Sequence, residues 1–280
     1  MVAICALWII QRYIGAAVKA AGMDRKNTVR ESLEAGRPVY GAATGTCSPA
    51  MVEVYGELGM DYVWVDLEHA GPSPYNSRIF EELTRAAEVA DTELLVRLPS
   101  PDPHLIRKVL DAGVRTLLIP RIETATEVRE AVKATRFRYE ESPGERGIGK
   151  GRVSTWGADF SDHAQREDDT VLLGVMIENR TAIKNLEEIL EVPELGYVFI
   201  GPSDLSVSFG KPLEKEDSKV RNGIKQIETV TADTDVALGG IANDPETARE
   251  MIDRGYRLLR IGDEIGAARN VLGERLDELS

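Results

Sequence analysis

Apolar residues in this chain fall into short continuous runs separated by stretches of helical period. Eight runs stand out, at 39–43, 61–66, 93–98, 115–120, 172–177, 197–200, 235–238 and 257–261. Runs such as LLGVMI and YVFI show no polar alternation, the pattern of parallel strands covered on both faces. The intervening stretches place apolar residues three and four apart. In 24–35 these are Val29 and Leu33, closed by Gly36, and in 77–90 they are Ile79, Leu83 and Ala86 or Ala87. Further helices are expected at 50–58, from Pro103 to just before Gly113, and at 125–138, 180–191, 217–230, 246–254 and 264–279. Asn76 and Asp102 stand where N-caps belong, and Pro103 follows at the favoured first helical position.

Eight strands with helical or loop crossovers predict an α/β fold of the (β/α)8 TIM-barrel type, a single domain over 23–280. The rival is an open doubly wound sheet, but the first strand is not followed by a glycine-rich phosphate turn. One passage, 140–157 (EESPGERGIGKGRVSTWG), is long and irregular, and such loops cover a site or mediate assembly. The first 22 residues are expected to lie outside the barrel domain. MVAICALWII is apolar, but Gln11, Arg12 and Lys19 follow quickly, which is too short a run for a membrane span. No positive charge precedes it, as a signal peptide would require. Three readings stay open: a helix that packs in an assembly, an amphipathic membrane-surface segment, or an extension upstream of a start at Met23.

Composition narrows the partners. The chain is 42% hydrophobic and 29% charged, as soluble globular proteins are. Its net charge of -13 opposes nucleic acid and anionic membranes, so neither nucleic-acid binding nor stable membrane insertion is expected. Cys5 and Cys47 are the two cysteines, too few for a disulfide framework or a thiolate metal site, and a cytoplasmic setting is expected.

A barrel builds its site at the carboxyl ends of its strands. There stand Asp66, Glu68 and His69 after the second strand, Arg97 at the third, Glu178 at the fifth and Asp204 after the sixth. Glu178 and Asp204 offer hard oxygens without a histidine cluster, which suits Mg2+ or Mn2+, with Co2+ a further candidate. His69 lies within reach of a carboxylate that would orient it as a general base. Arg97 supplies a forked cation for an oxyanion or a carboxylate. Plainer roles exist for each: a helix-start charge for Glu178, a turn cap for Asp204, a solvated loop histidine for His69, a salt bridge for Arg97. Their meeting at one rim makes the plainer roles less probable together, and a metal, a base and an arginine suffice for enolate chemistry on a 2-oxo acid without proving it. His104 and His163 are expected to be solvated, and no base accompanies Cys47 to make it a catalytic thiol.

These residues sit in four stretches: YVWVDLEHAGPSP (62–74), LVRLPSPDPHLIRKVLDAGVRTLLIPRIET (95–124), SPGERGIGKGRVSTWG (142–157), and MIEN with GPSDLSVSFG (176–210). Together they resemble the HpcH/HpaI aldolase family of metal-dependent pyruvate aldolases, from about Asn27 onward. The resemblance implies a TIM barrel whose metal ligands are Glu178 and Asp204. It also implies a base dyad of His69 with Asp66, enolate stabilisation by Arg97, and a pyruvate carboxylate held at Gly201, Ser203 and Asp204. The implied reaction is reversible cleavage of a 4-hydroxy-2-oxo acid, such as a 2-keto-3-deoxy-sugar acid or a heptanedioate, to pyruvate and an aldehyde. The implied assembly is a homo-oligomer, a hexamer or trimer of dimers, whose subunits exchange the terminal helix. Two features concern the pocket: Arg121 follows Pro120 where the family has a small or apolar residue, and Tyr75 and Asn76 stand where aldehyde selectivity is set. A citramalyl- or malyl-CoA-type lyase on the same barrel, and a non-catalytic barrel serving as a binding or assembly subunit, are the alternatives.

Overall fold

Ten strands are present among the residues that the computed structural model describes, which are 26–158 and 160–279. They are β1 (Val39–Ala43), β2 (Tyr62–Asp66), β3 (Glu93–Arg97), β4 (Thr116–Ile119), β5 (Arg138–Tyr139), β6 (Ser142–Pro143), β7 (Leu172–Ile177), β8 (Leu195–Ile200), β9 (Ala237–Ile241) and β10 (Tyr256–Asp263). Eight of them close into a parallel barrel in the order β1-β10-β9-β8-β7-β4-β3-β2, and β5 with β6 forms a separate antiparallel ribbon. The expected (β/α)8 barrel is therefore the fold. The expected extension at 1–22 and the start at Met23 lie outside the described residues. No described helix is long and apolar enough to cross a membrane.

The unalternated strands bury both faces. Val63, Val65, Leu94, Val96 and Leu117 point outward into the layer shared with the helices. Tyr62, Trp64, Leu95, Leu118, Met176, Tyr197, Phe199 and Leu258 fill the barrel interior. Val29 and Leu33 of helix Thr28–Glu34 join this inner cluster, so that helix plugs the end opposite the site. The rings of Trp64 and Phe199 meet at 5.0 Å and 59°, a tilted pair that contributes about 0.5–1.5 kcal/mol beyond its buried area. Two interior glycines make room for large rings. A Cβ on Gly41 would overlap the Tyr62 ring, and one on Gly174 would overlap Tyr197.

Several elements depart from the sequence pattern for identifiable reasons. The first described helix is capped by Asn27, whose side chain accepts from the Arg30 amide at 3.0 Å. Asp102 caps its helix through the His104 amide, whereas Asn76 occupies an N-cap position without a side-chain cap bond. The helix expected over 125–138 ends at Thr135, because Arg136 turns extended and buries its guanidinium against Val171 O at 3.0 Å. The single helix expected at 180–191 is two, Arg180–Lys184 and Leu186–Leu190. They meet at Asn185, whose amide donates to Glu123 O at 2.9 Å. Gly239 and Gly240 continue β9 rather than end it, since the Phe199 and Tyr256 rings occupy the space beside them. Helix His163–Thr170 has no apolar stripe to announce it, and His163 is buried rather than solvated, its ring between Phe137 and Phe160. Burial lowers the pKa of that histidine, so the interior holds it neutral.

Candidate active site

Register decides which charged groups meet at the rim. Asp66 of β2 pairs directly with Arg97 of β3, placing a carboxylate and a guanidinium side by side on one face. Arg97 Nε donates to Asp66 Oδ1 at 2.9 Å and Nη2 to Oδ2 at 2.6 Å, a two-pronged fork. The third nitrogen, Nη1, stands 3.0 Å from Glu68 Oε2. That contact is an ion pair without hydrogen-bond alignment, since Glu68 Oε2 has no hydrogen-bond partner. Burial works to raise the Asp66 pKa, but the Arg97 fork outweighs it and holds the carboxyl below its ordinary value. For Glu68, burial prevails over the attraction of Arg97 and raises the pKa.

The base loop differs in one respect from the implied dyad. Asp66 Oδ1 accepts from the backbone amides of Glu68 and His69 and so shapes the loop, but its oxygens are otherwise committed to Arg97. The carboxylate beside the imidazole is that of Glu68, with Oε2 3.6 Å from His69 Nε2. His69 itself is more than half exposed at the mouth of the barrel. The sequence had placed Glu68 at the strand end without a role, because two carboxylates three and one residues from the histidine are not distinguishable by spacing.

Across the rim, Glu178 follows β7 and is 4% exposed. Its Oε1 accepts from the Arg121 amide at 2.6 Å. Arg121 adopts a left-handed conformation at φ 58° to present that N–H, and its side chain is exposed. Arg121, which stands where the family has a small or apolar residue, thus contributes its backbone amide to Glu178. Gly201 allows the close approach of the next segment: a Cβ there would stand 2.7 Å from Glu178 Oε2. Pro202 then opens the short helix Pro202–Ser208, which carries Ser203 and Asp204 in its first turn. Asp204, expected in a turn, is exposed there.

Burial raises the Glu178 pKa to about 7, with the Arg121 amide opposing it and the charges of Asp204 and Glu68 adding to it. Asp204, His69, Asp66 and Arg97 in turn act on Glu68. The structure thereby brings Asp66, His69, Arg97, Glu178 and Asp204 into one electrostatic neighbourhood with Glu68. A buried carboxylate facing two others is the environment that a divalent cation relieves. Among the described residues no cluster of three or more His, Cys, Asp or Glu is spaced to hold a metal. Glu178 and Asp204 are the two oxygen donors that could hold a hard ion there, with water and substrate oxygens supplying the rest of its shell. Cys47 is buried, with its pKa raised by burial, and is an inert thiol.

The fold is a (β/α)8 barrel that gathers its candidate site residues at the carboxyl ends of the strands. Residues 44–270 match the HpcH/HpaI aldolase/citrate lyase family, and the chain belongs to that family. It is 33% identical over 238 residues to a hydroxypyruvate/pyruvate aldolase of Deinococcus radiodurans, covering 84% of this chain and 83% of that one. It is also 33% identical to a 4-hydroxy-2-oxo-heptane-1,7-dioate aldolase of Escherichia coli, over 85% of this chain and 88% of the relative. A crystal structure of an HpcH/HpaI aldolase/citrate lyase family protein from Burkholderia cenocepacia superposes with a TM-score of 0.84 at 30% identity. That match covers 91% of this chain and 99% of the other. The protein is a carbon–carbon lyase of the aldolase type.

Proposed function

We propose that this enzyme cleaves a 4-hydroxy-2-oxo acid reversibly to pyruvate and an aldehyde. The observation that carries this reading is the meeting of buried Glu178 with Asp204, Glu68, His69 and the Arg97 fork at the strand ends of a barrel of this aldolase family. Glu178 and Asp204 would hold Mg2+, Mn2+ or Co2+, which supplies Lewis-acid stabilisation of the enolate oxygen. The Ser203 and Asp204 amides are the donors for the pyruvate carboxylate beside Gly201, since Pro202 has no N–H. His69 takes the proton from the 4-hydroxyl, and the C4 oxygen becomes the aldehyde carbonyl as the C3–C4 bond breaks. The bonding pair passes into the enolate, which Arg97 stabilises. The protonated His69 then returns its proton to C3, releasing pyruvate. Glu68, rather than Asp66, is the carboxylate placed to steady the imidazolium.

Chelation tests the reading. EDTA should abolish pyruvate release from a 4-hydroxy-2-oxo acid and added Mg2+ or Mn2+ should restore it; undiminished turnover in EDTA would remove the metal from the mechanism. His69→Ala in the same assay should bind the ion yet lose roughly 100-fold to 10,000-fold in rate.

The terminal helix Glu264–Asp277 buries none of its residues, and Val271, Leu272 and Leu276 are exposed on it. Apolar residues left uncovered in this way favour a homo-oligomer in which that helix packs on a neighbouring subunit. A cytoplasmic location accords with Cys47 as a free thiol. The CoA-lyase alternative is less favoured. Arg221, on the helix that follows the Asp204 segment, faces Glu216 at 3.7 Å and so is not a free phosphate-binding group.

A further inference from the structure

Beneath the Asp66–Arg97 pair lies an indole that the mechanism does not use. Trp64 stands two residues before Asp66 on β2, so its side chain leaves the strand on the same face and forms the layer of the barrel interior under the fork. The Arg97 guanidinium carbon is 5.6 Å from the centroid of that ring, within the range of a cation–π contact. A second cation uses the same ring: the guanidinium carbon of Arg260, a partly buried residue of β10, is 5.7 Å from the centroid. In the barrel order Arg97 comes from β3, next to β2, and Arg260 from beyond β1, on the other side of the strand that carries the indole. Their charges repel, and the electron-rich ring that they share offsets part of that repulsion.

The ring itself is held without a hydrogen bond. Trp64 is 2% exposed and packs on Phe199, and its Nε1 is buried with no acceptor among the described residues. A buried indole ordinarily gives its N–H a partner. Here the ring has one aromatic neighbour and two cations instead. For Arg97 such a contact has a property that a carboxylate lacks: it restrains the guanidinium without consuming an N–H or neutralising the charge. The Asp66 fork fixes Nε and Nη2, whereas Nη1 has only the weak acceptor Met176 Sδ at 3.7 Å and an unaligned Glu68. Nη1 is thus the edge left for an enolate oxygen.

We propose that Trp64 is a positioning residue for Arg97, whose indole seats the guanidinium so that Nη1 is presented to the enolate oxygen formed on cleavage. The inference rests on the aldolase reading above and adds a residue that acts through Arg97 alone.

The test is a double-mutant cycle on pyruvate release from a 4-hydroxy-2-oxo acid by the Mg2+-loaded enzyme. Trp64→Leu should lower kcat roughly tenfold and leave KM within about twofold, because the seat matters as the enolate charge develops. Trp64→Phe, which keeps an aromatic face, should recover most of the rate. In an Arg97→Gln background, with no cation to seat, Trp64→Leu should cost less than about twofold. An equal loss in both backgrounds overturns the proposal, as does a wild-type kcat in Trp64→Leu or a Trp64→Phe as slow as Trp64→Leu. Trp64→Met takes the place of Trp64→Leu in the cycle if the latter does not fold. A second readout is independent of turnover. Solvent exchange of the Arg97 Nε–H, followed by NMR and assigned by its loss in Arg97→Gln, should be roughly tenfold faster in Trp64→Leu than in wild type or Trp64→Phe. If wild type releases no pyruvate, the aldolase reading fails and this exchange decides the seat; equal rates in the three proteins overturn it.

Discussion

At Glu178, burial and two neighbouring carboxylates act against a single backbone donor, and the pKa rises from 4.5 to about 7. A carboxyl whose folded pKa is raised contributes stability that is fully present below its unfolded value and lost as pH rises through the folded one. Metal-free protein should therefore lose on the order of 3 kcal/mol of stability between pH 5 and pH 8 through this group. Urea unfolding in EDTA across that range should show the loss, and Glu178→Gln should flatten it. A variant that keeps the wild-type slope would place the source elsewhere. At this scale the sequence told which residue types end each strand, and Asp66, His69, Arg97, Glu178 and Asp204 do share a rim. It did not tell who pairs with whom. Asp66 and Glu68 are both near His69 in the chain, and the Asp66 alignment with Arg97 in the ladder decides that Glu68 is left for the imidazole. Arg121 was read for its side chain, while its left-handed backbone is what touches Glu178.

Elements position these groups through close approaches as much as through packing. The turn from β8 into helix Pro202–Ser208 passes so near Glu178 that Gly201 has no room for a side chain. Gly201→Ala should displace either the carboxylate or the first turn that carries Asp204. Its Mn2+ dissociation constant, measured by calorimetry, should rise by roughly tenfold, with the circular dichroism of the barrel retained. Unchanged affinity would show that the two can separate without consequence for the ion. Strands buried on both faces were legible because continuous apolar runs have few other uses. Helix His163–Thr170 was not, for it presents HAQREDDT and is held by the long-range pairs of Glu167 with Arg115 and Arg146. Such contacts join residues far apart in the chain, so no local pattern encodes them.

For the whole molecule, the barrel closes through the full strand order while the terminal helix remains uncovered. Glu264 fixes that helix at its start by accepting from Thr44, Thr46 and Tyr55, at 2.9 to 3.1 Å. Deleting 271–280 removes the exposed leucines and leaves this anchor intact. Light scattering should then report a smaller assembly with barrel circular dichroism unchanged; an assembly of undiminished mass would locate the subunit contacts elsewhere. The interior carries a different kind of consequence. Tyr62 and Tyr197 each occupy the volume that a side chain on Gly41 or Gly174 would need, so one residue of each pair is small because the other is large. Neither partner can drift alone: a bulkier glycine position collides with the ring, and a lost ring leaves a void in the centre of the barrel. Lineages of this chain should therefore change these positions two at a time, and the pairs form a record of descent written inside the fold.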